Sequence, residues 1–161
     1  MPGPAGDGPV TRDDVLPAGA RQCFACGDDN PIGMHLDDIR REGREVHATL
    51  HPRPEYQSYP GVLHGGLAAT ALDEVMGYSA ILLAGIWAAT ATMDLRYRAQ
   101  VPYDAPLPLV AGLVDARGRR LRAWARLHLP GGGVGVEAKG LLVALPEEVA
   151  ARARELYGPM A

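Results

Sequence analysis

Aromatic side chains are scarce in this sequence: one Phe, two Trp and six Tyr make up 6% of its 161 residues. With so few large rings, the apolar weight falls on Ala, Val and Leu, which calls for a core of small side chains and closely spaced elements. Cysteine is scarcer still, with only Cys23 and Cys26. An excess of positive charge is also missing. Sixteen basic and nineteen acidic side chains give a net charge of −3, and no basic stripe with interleaved aromatics is present, which excludes a general nucleic-acid binder. The longest apolar stretch, about Leu67 to Ala89, is interrupted by Asp73, Glu74 and two glycines, so no membrane span is expected. Met1 to Ala20 is rich in Gly, Pro and Asp without an apolar centre, so no signal peptide is read and a cytoplasmic location is expected. The length suits one domain. The expected division is a flexible tail over residues 1–20 and a single domain over 21–161.

What is present is organised around residues 59–84, YPGVLHGGLAATALDEVMGYSAILLA. Pro60 and Gly61 mark a turn, His64-Gly65-Gly66 follow, and a run of Leu, Ala, Val, Met and Ile then gives roughly five helical turns at about 1.5 Å per residue. Asp73 and Glu74 sit inside that run, where a carboxylate is costly to bury without a partner. At a helix start the first N–H groups lack intrahelical acceptors and the dipole is positive, so two glycines there let a ligand oxygen approach closely. Such a start can serve as an oxyanion site. A carboxylate about two turns further on could supply a base or nucleophile to the same pocket.

The rest of the chain reads as strands. Met34 to Arg40 and Glu45 to His51 suggest a first strand pair. Thr90 to Arg98 alternates, with Ala91, Met93, Leu95 and Tyr97 on one face and Thr90, Thr92, Asp94, Arg96 and Arg98 on the other. Leu109 to Ala116, Leu121 to Leu129 and Val134 to Leu145 are separated by turns at Arg117-Gly118-Arg119 and Gly131-Gly132-Gly133, which makes an antiparallel meander. Pro146 to Tyr157 reads as a terminal helix, with Glu147 and Glu148 complementing its dipole. One long helix that is apolar nearly all round must be covered on most sides. A curved antiparallel sheet wrapped around one long central helix, an α+β arrangement, would cover it.

His64-Gly65-Gly66 with an acid nine positions after the His (64 to 73), together with Cys23-Phe24-Ala25-Cys26-Gly27 and Asn30-Pro31-Ile32-Gly33 upstream, resembles the hotdog-fold acyl-CoA thioesterases. The likeness is greatest to the branch of the phenylacetate-pathway and 4-hydroxybenzoyl-CoA thioesterases, and it covers roughly residues 21–145. The resemblance implies the hotdog fold, hydrolysis of an acyl-CoA thioester, and pairing into a homodimer or a dimer-of-dimers tetramer with sites at the subunit interface. It implies that the Gly65 N–H binds the thioester carbonyl and that Asp73 is the general base or nucleophile. Gln57 is then a candidate polar contact to the acyl pocket or a solvated loop amide. Thr90 corresponds to a Ser or Thr that orients the attacking water from the partner subunit in some relatives, with Thr92 as an alternative on the same face.

Adjacent helical residues point about 100° apart, so Asp73 and Glu74 cannot serve one pocket equally. Asp73 is preferred because it lies among the small residues Gly66, Ala69, Thr70, Gly77 and Ala80, and because the spacing in the resembling family selects it. His64 could transfer protons or hold the turn, and the second role is favoured. Gly66 belongs to the same binding turn. Arg96 and Arg98 are candidates for CoA phosphates, as guanidiniums are for phosphates generally, or members of a solvated strand face. The reaction calls for no metal or redox cofactor, and CoA is part of the substrate. A non-catalytic acyl-CoA or apolar-ligand binding protein of the same fold is the alternative. Cys23-x-x-Cys26 reads as two reduced thiols with a local packing role. A structural zinc needs four ligands and only His35 lies nearby in sequence, and no βαβ pattern suggests a redox pair.

Overall fold

The computed structural model describes residues 10–15 and 20–157. In chain order the elements are β1 (Val10–Thr11), α1 (Arg12–Val15), β2 (Asp37–Glu42), β3 (Glu45–Leu50), α2 (Gly65–Ala84), β4 (Ala88–Tyr97), β5 (Leu107–Arg117), β6 (Arg120–His128), β7 (Val134–Ala144) and α3 (Glu147–Tyr157). The seven strands form one sheet in the order β1-β2-β3-β5-β6-β7-β4, and every pairing is antiparallel. This is the hotdog arrangement, an α+β fold in which the sheet wraps one long helix.

The wrapping follows from residue size. Along α2, Ala68, Ala71, Leu72, Val75 and Met76 are buried, spaced at the three- and four-residue intervals that make one helical face. They meet the inward-facing alternate residues of the strands, among them Leu107, Leu109, Leu121, Leu127, Val136 and Leu142, all fully buried. Alanines at 111, 123, 125 and 138 on the same inner face let the helix sit close to the sheet. Each buried Leu stabilises the fold by about 1.5–3 kcal/mol. By length and composition α2 could cross a bilayer, but it packs against β3, β4, β5, β6 and β7 as the core helix of this sheet. Its C-terminus stops at Gly85, whose φ of 66° is the left-handed conformation that ends helices.

Three local differences from the sequence reading have physical causes. Part of the segment expected as a tail is ordered: Val10 and Thr11 pair with Arg41 and Arg40 at the sheet edge, and Arg12 donates to the Cys26 carbonyl at 2.6 Å and to Asp28 at 2.9 Å. The remainder of that segment, 1–9 and 16–19, lies outside the described residues. The first long strand begins at Asp37 rather than Met34, because the Met34 and Leu36 amides donate instead to the carbonyls of Phe24 and Ala25, with His35 at a φ of 54° between them. In β4 the alternation breaks. The register against β7 shifts between Thr90 and Thr92, so one residue is bulged out and the side chains on either side of it change faces.

Candidate active site

The start of α2 is fixed from the loop before it. The Tyr56 hydroxyl donates to the Gly33 carbonyl at 2.9 Å, the Leu63 amide to Val101 and the His64 amide to Tyr56, both at 2.8 Å. Gln57 accepts the Gly61 N–H at 3.4 Å with its side-chain oxygen, so in this chain it braces the turn that delivers His64. His64 is the helix N-cap, with extended backbone (φ −61°, ψ 127°), and its Nδ1 accepts the Gly66 N–H at 3.0 Å. That cap occupies the Gly66 donor. The Gly65 N–H is left without an acceptor among the described residues, at the positive end of a twenty-residue helix. In the following peptide, the Tyr97 hydroxyl donates to the Gly65 carbonyl at 2.9 Å.

Asp73 and Glu74 face different surroundings. The Thr90 hydroxyl donates to Asp73 Oδ1 at 2.6 Å, leaving Oδ2 without a partner among the described residues. Around Asp73, Gly66, Ala69, Thr70 and Gly77 remain partly or fully open, and a Cβ added at Gly77 would meet nothing within 4 Å. Ala80, expected on this open stripe, is instead buried in the core. The Thr90 hydroxyl thus meets the aspartate of its own chain, whereas the resemblance implied a partner's site. Thr92 does not share its face. Thr90 pairs with Leu142 on the helix side, but after the bulge Thr92 lies on the outer sheet surface and lines a hollow with Asp94, Trp124 and Lys139. Arg96 and Arg98 line a second outer-surface groove beside Glu137. Arg98 pairs with Glu137 at 2.5 Å, which holds the Glu137 carboxyl below its usual range. Gly65, Gly66 and His64 therefore form one group and Asp73 with Thr90 a second, while Thr92, Arg96 and Arg98 belong to neither within one chain.

Glu74 turns to another side and meets the two cysteines. Its Oε1 lies 3.5 Å from Cys23 Sγ, and Cys26 Sγ lies 3.3 Å from the Tyr78 hydroxyl. Hydrogen bonds from the Cys26 thiol and from the Cys26 and Ala25 backbone N–H groups bring the Cys23 thiol down to about 5. Burial, followed by the charge on Cys23, raises Glu74 to about 7. Burial and the neighbouring charges also push Tyr78 up, and Cys26 rises because its proton is held by Cys23. The sequence reading grouped Glu74 only with helix neighbours. The spacing of Glu74 and Tyr78, four residues apart on one helix face, was the available signal, but the loop that carries the cysteines to that face has no periodicity to announce it.

The seven-stranded sheet around one helix, with a glycine helix start and a threonine-bound aspartate, defines a protein of the hotdog class. Residues 60–136 match the model of the thioesterase superfamily. A thioesterase superfamily protein of known crystal structure is 30% identical with a TM-score of 0.68, over 76% of this chain but only 60% of its own length. A Streptococcus mutans protein solved with acetyl CoA is 18% identical, with a TM-score of 0.64 over 68% of this chain and 88% of its own. A hypothetical thioesterase from Streptococcus pneumoniae solved with coenzyme A is 20% identical, with a TM-score of 0.61 over 68% and 86%. The latter protein has also been solved with an aspartate, and separately a threonine, replaced by alanine. A comparison with curated proteins returns no match.

Proposed function

We propose that this chain hydrolyses an acyl-CoA thioester to the free acid and CoA at a site shared by two copies of the chain. The observation that carries this reading is the Asp73–Thr90 hydrogen bond at 2.6 Å on the open, small-residue stripe of α2, together with the unpaired Gly65 N–H. Gly65 would donate to the thioester carbonyl oxygen, where negative charge develops, and the helix dipole would add to its effect. Asp73 would either remove a proton from water or attack the carbonyl carbon itself. Thr90 holds the carboxylate through one oxygen and leaves the other for that task. His64 would position the donor through its cap on the Gly66 N–H.

Two chains are needed on geometric grounds. Eight residues separate Gly65 from Asp73, about 12 Å along a helix at 1.5 Å per residue. Both groups must approach one carbonyl to about 3 Å, which one straight helix does not allow. A second copy supplies the missing half. β4 ends the sheet with one edge unpaired among the described residues, and Ala89 to Thr92 on it are exposed and uncharged. An open edge with an uncharged half of this kind is suited to pairing with the same strand of another chain. The stripe around Asp73 then gives room for the partner's helix start and for the acyl group, of medium-chain or aryl size. The CoA-bound neighbours support the substrate class.

The test is thiol release from short, medium, long and aryl acyl-CoAs by the wild type and Asp73→Asn. At least one substrate should turn over, with a loss of about two or more orders of magnitude in the variant. No turnover of any thioester, or full activity in Asp73→Asn, would remove the proposal.

A further inference from the structure

We infer that Cys23, Cys26 and Glu74 form a binding site for one divalent zinc-class cation, on a face of α2 about 100° round the helix from Asp73. The three candidate ligand atoms all lie within 4.8 Å of one another. Tetrahedral zinc with Zn–S of about 2.3 Å and Zn–O of about 2.0 Å places a sulfur and an oxygen ligand about 3.5 Å apart and two sulfurs about 3.8 Å apart. The Cys23 Sγ to Glu74 Oε1 separation is 3.5 Å, so a cation could enter with the side chains moving by less than about 1 Å.

The loop has the form such a site requires. In Cys23-Phe24-Ala25-Cys26-Gly27 the Gly27 amide closes the turn on the Cys23 carbonyl at 2.9 Å. The turn is anchored from outside by Arg12 on the Cys26 carbonyl at 2.6 Å. The Tyr78 hydroxyl, 3.3 Å from Cys26 Sγ, supports the second sulfur.

Glu74 is the residue that a simple packing role leaves unexplained. It is a partly buried carboxyl in the core helix, and among the described residues no Lys, Arg or His pairs with it. Its hydrogen-bond partner there is the Cys23 sulfur at 3.5 Å. A divalent cation would satisfy the carboxylate and both sulfurs together, with water at the fourth position. Binding releases the protons these groups hold and ties the Cys loop to α2 across 51 residues of sequence (23 to 74). The site is separate from the proposed thioesterase chemistry and takes no part in it.

The experiment uses the full chain, purified with a phosphine reductant present throughout so that the thiols stay reduced. It is loaded with zinc, dialysed, and assayed for metal by mass spectrometry, then reconstituted with cobalt(II). The expected result is about one zinc per chain and a thiolate-to-cobalt charge-transfer band in the near ultraviolet. Cys23→Ser and Cys26→Ser should abolish both. Glu74→Gln, which keeps the thiols and the shape, should weaken zinc binding at least tenfold and alter the cobalt spectrum. Asp73→Asn should bind as the wild type does. Far-ultraviolet circular dichroism establishes that each variant is folded, and if a cysteine variant is not, the Glu74→Gln affinity decides. Reduced wild type that retains no zinc and shows no cobalt band overturns the inference, as does equal metal content in wild type and folded variants.

Discussion

Removing the His64 cap separates two roles for that residue. His64→Ala deletes the Nδ1 acceptor of the Gly66 N–H, and loss of an N-cap costs about 0.5–2 kcal/mol, typically about 1. For a chain of this size that corresponds to a fall in Tm of about 2–4 °C per kcal/mol. The Gly66 donor would then be free and the first turn would fray, so the Gly65 N–H would lose its fixed direction and thiol release would fall. His64→Asn restores a good capping side chain but cannot act as a general acid or base at neutral pH. The expected result is a lower Tm and lower kcat in His64→Ala, with both largely recovered in His64→Asn, measured by thermal denaturation and by the thiol-release assay. An unchanged Tm in His64→Ala would refute the capping argument. A stable His64→Asn as inactive as Asp73→Asn would refute the positioning role and make His64 a proton-transfer group.

Other outcomes follow from the same structure. Gly112→Ala places a Cβ 2.9 to 3.0 Å from the Trp124 indole, a rigid ring directly across the β5–β6 pair; overpacking of about 1–3 kcal/mol should exceed the entropy gained on replacing Gly, lowering Tm, and a rise would contradict it. Met76→Ala, which empties a fully buried site beneath Gly140, should cost about 2–5 kcal/mol in chemical denaturation. In the reduced, metal-free protein, Glu74 titrates near 7 folded against 4.5 for the unreacted carboxyl. The folded state holds that proton more tightly, so this contribution is complete below pH 4.5 and is lost as pH rises toward 7. Glu74→Gln should therefore raise Tm relative to wild type more at about pH 8 than at about pH 5; equal differences at the two pH values would refute the assignment.

The elements that were legible in the sequence are those whose pattern repeats. The five-turn apolar run after His64-Gly65-Gly66 announced α2, and the patterns over Leu109 to Ala116, Leu121 to Leu129 and Val134 to Leu145 announced β5, β6 and β7 with their turns. Two kinds of feature were not legible. A single bulged residue in β4 reverses side-chain faces without altering composition, so Thr90 and Thr92 read as equivalent although only Thr90 reaches Asp73. The second kind is long-range contact. Two adjacent carboxylates on a helix show that both cannot share a pocket, but not that Glu74 meets a loop 51 residues upstream. The choice of Asp73 rested on small neighbours, most of which prove open, and Ala80 was miscounted because helix periodicity alone does not say where the sheet closes over the last turns.

The central claim, one site drawn from two chains, has a direct test in subunit mixing. Gly65→Pro removes the proposed N–H donor while keeping the helix start: position 65 is the first helical residue, where Pro is favoured, and His64 before it is already extended. Its ring would displace the exposed Tyr97 side chain, 3.2 Å from a Cβ at that position. Alone, Gly65→Pro and Asp73→Asn should each be nearly inactive, Gly65→Pro by about 10²–10³ in kcat. Co-expressed in equal amounts, the two chains should recover about a quarter of wild-type thiol release, because half the two-fold dimers are mixed and each mixed dimer carries one intact site of two. No recovery from chains shown to be mixed in one dimer would contradict the account.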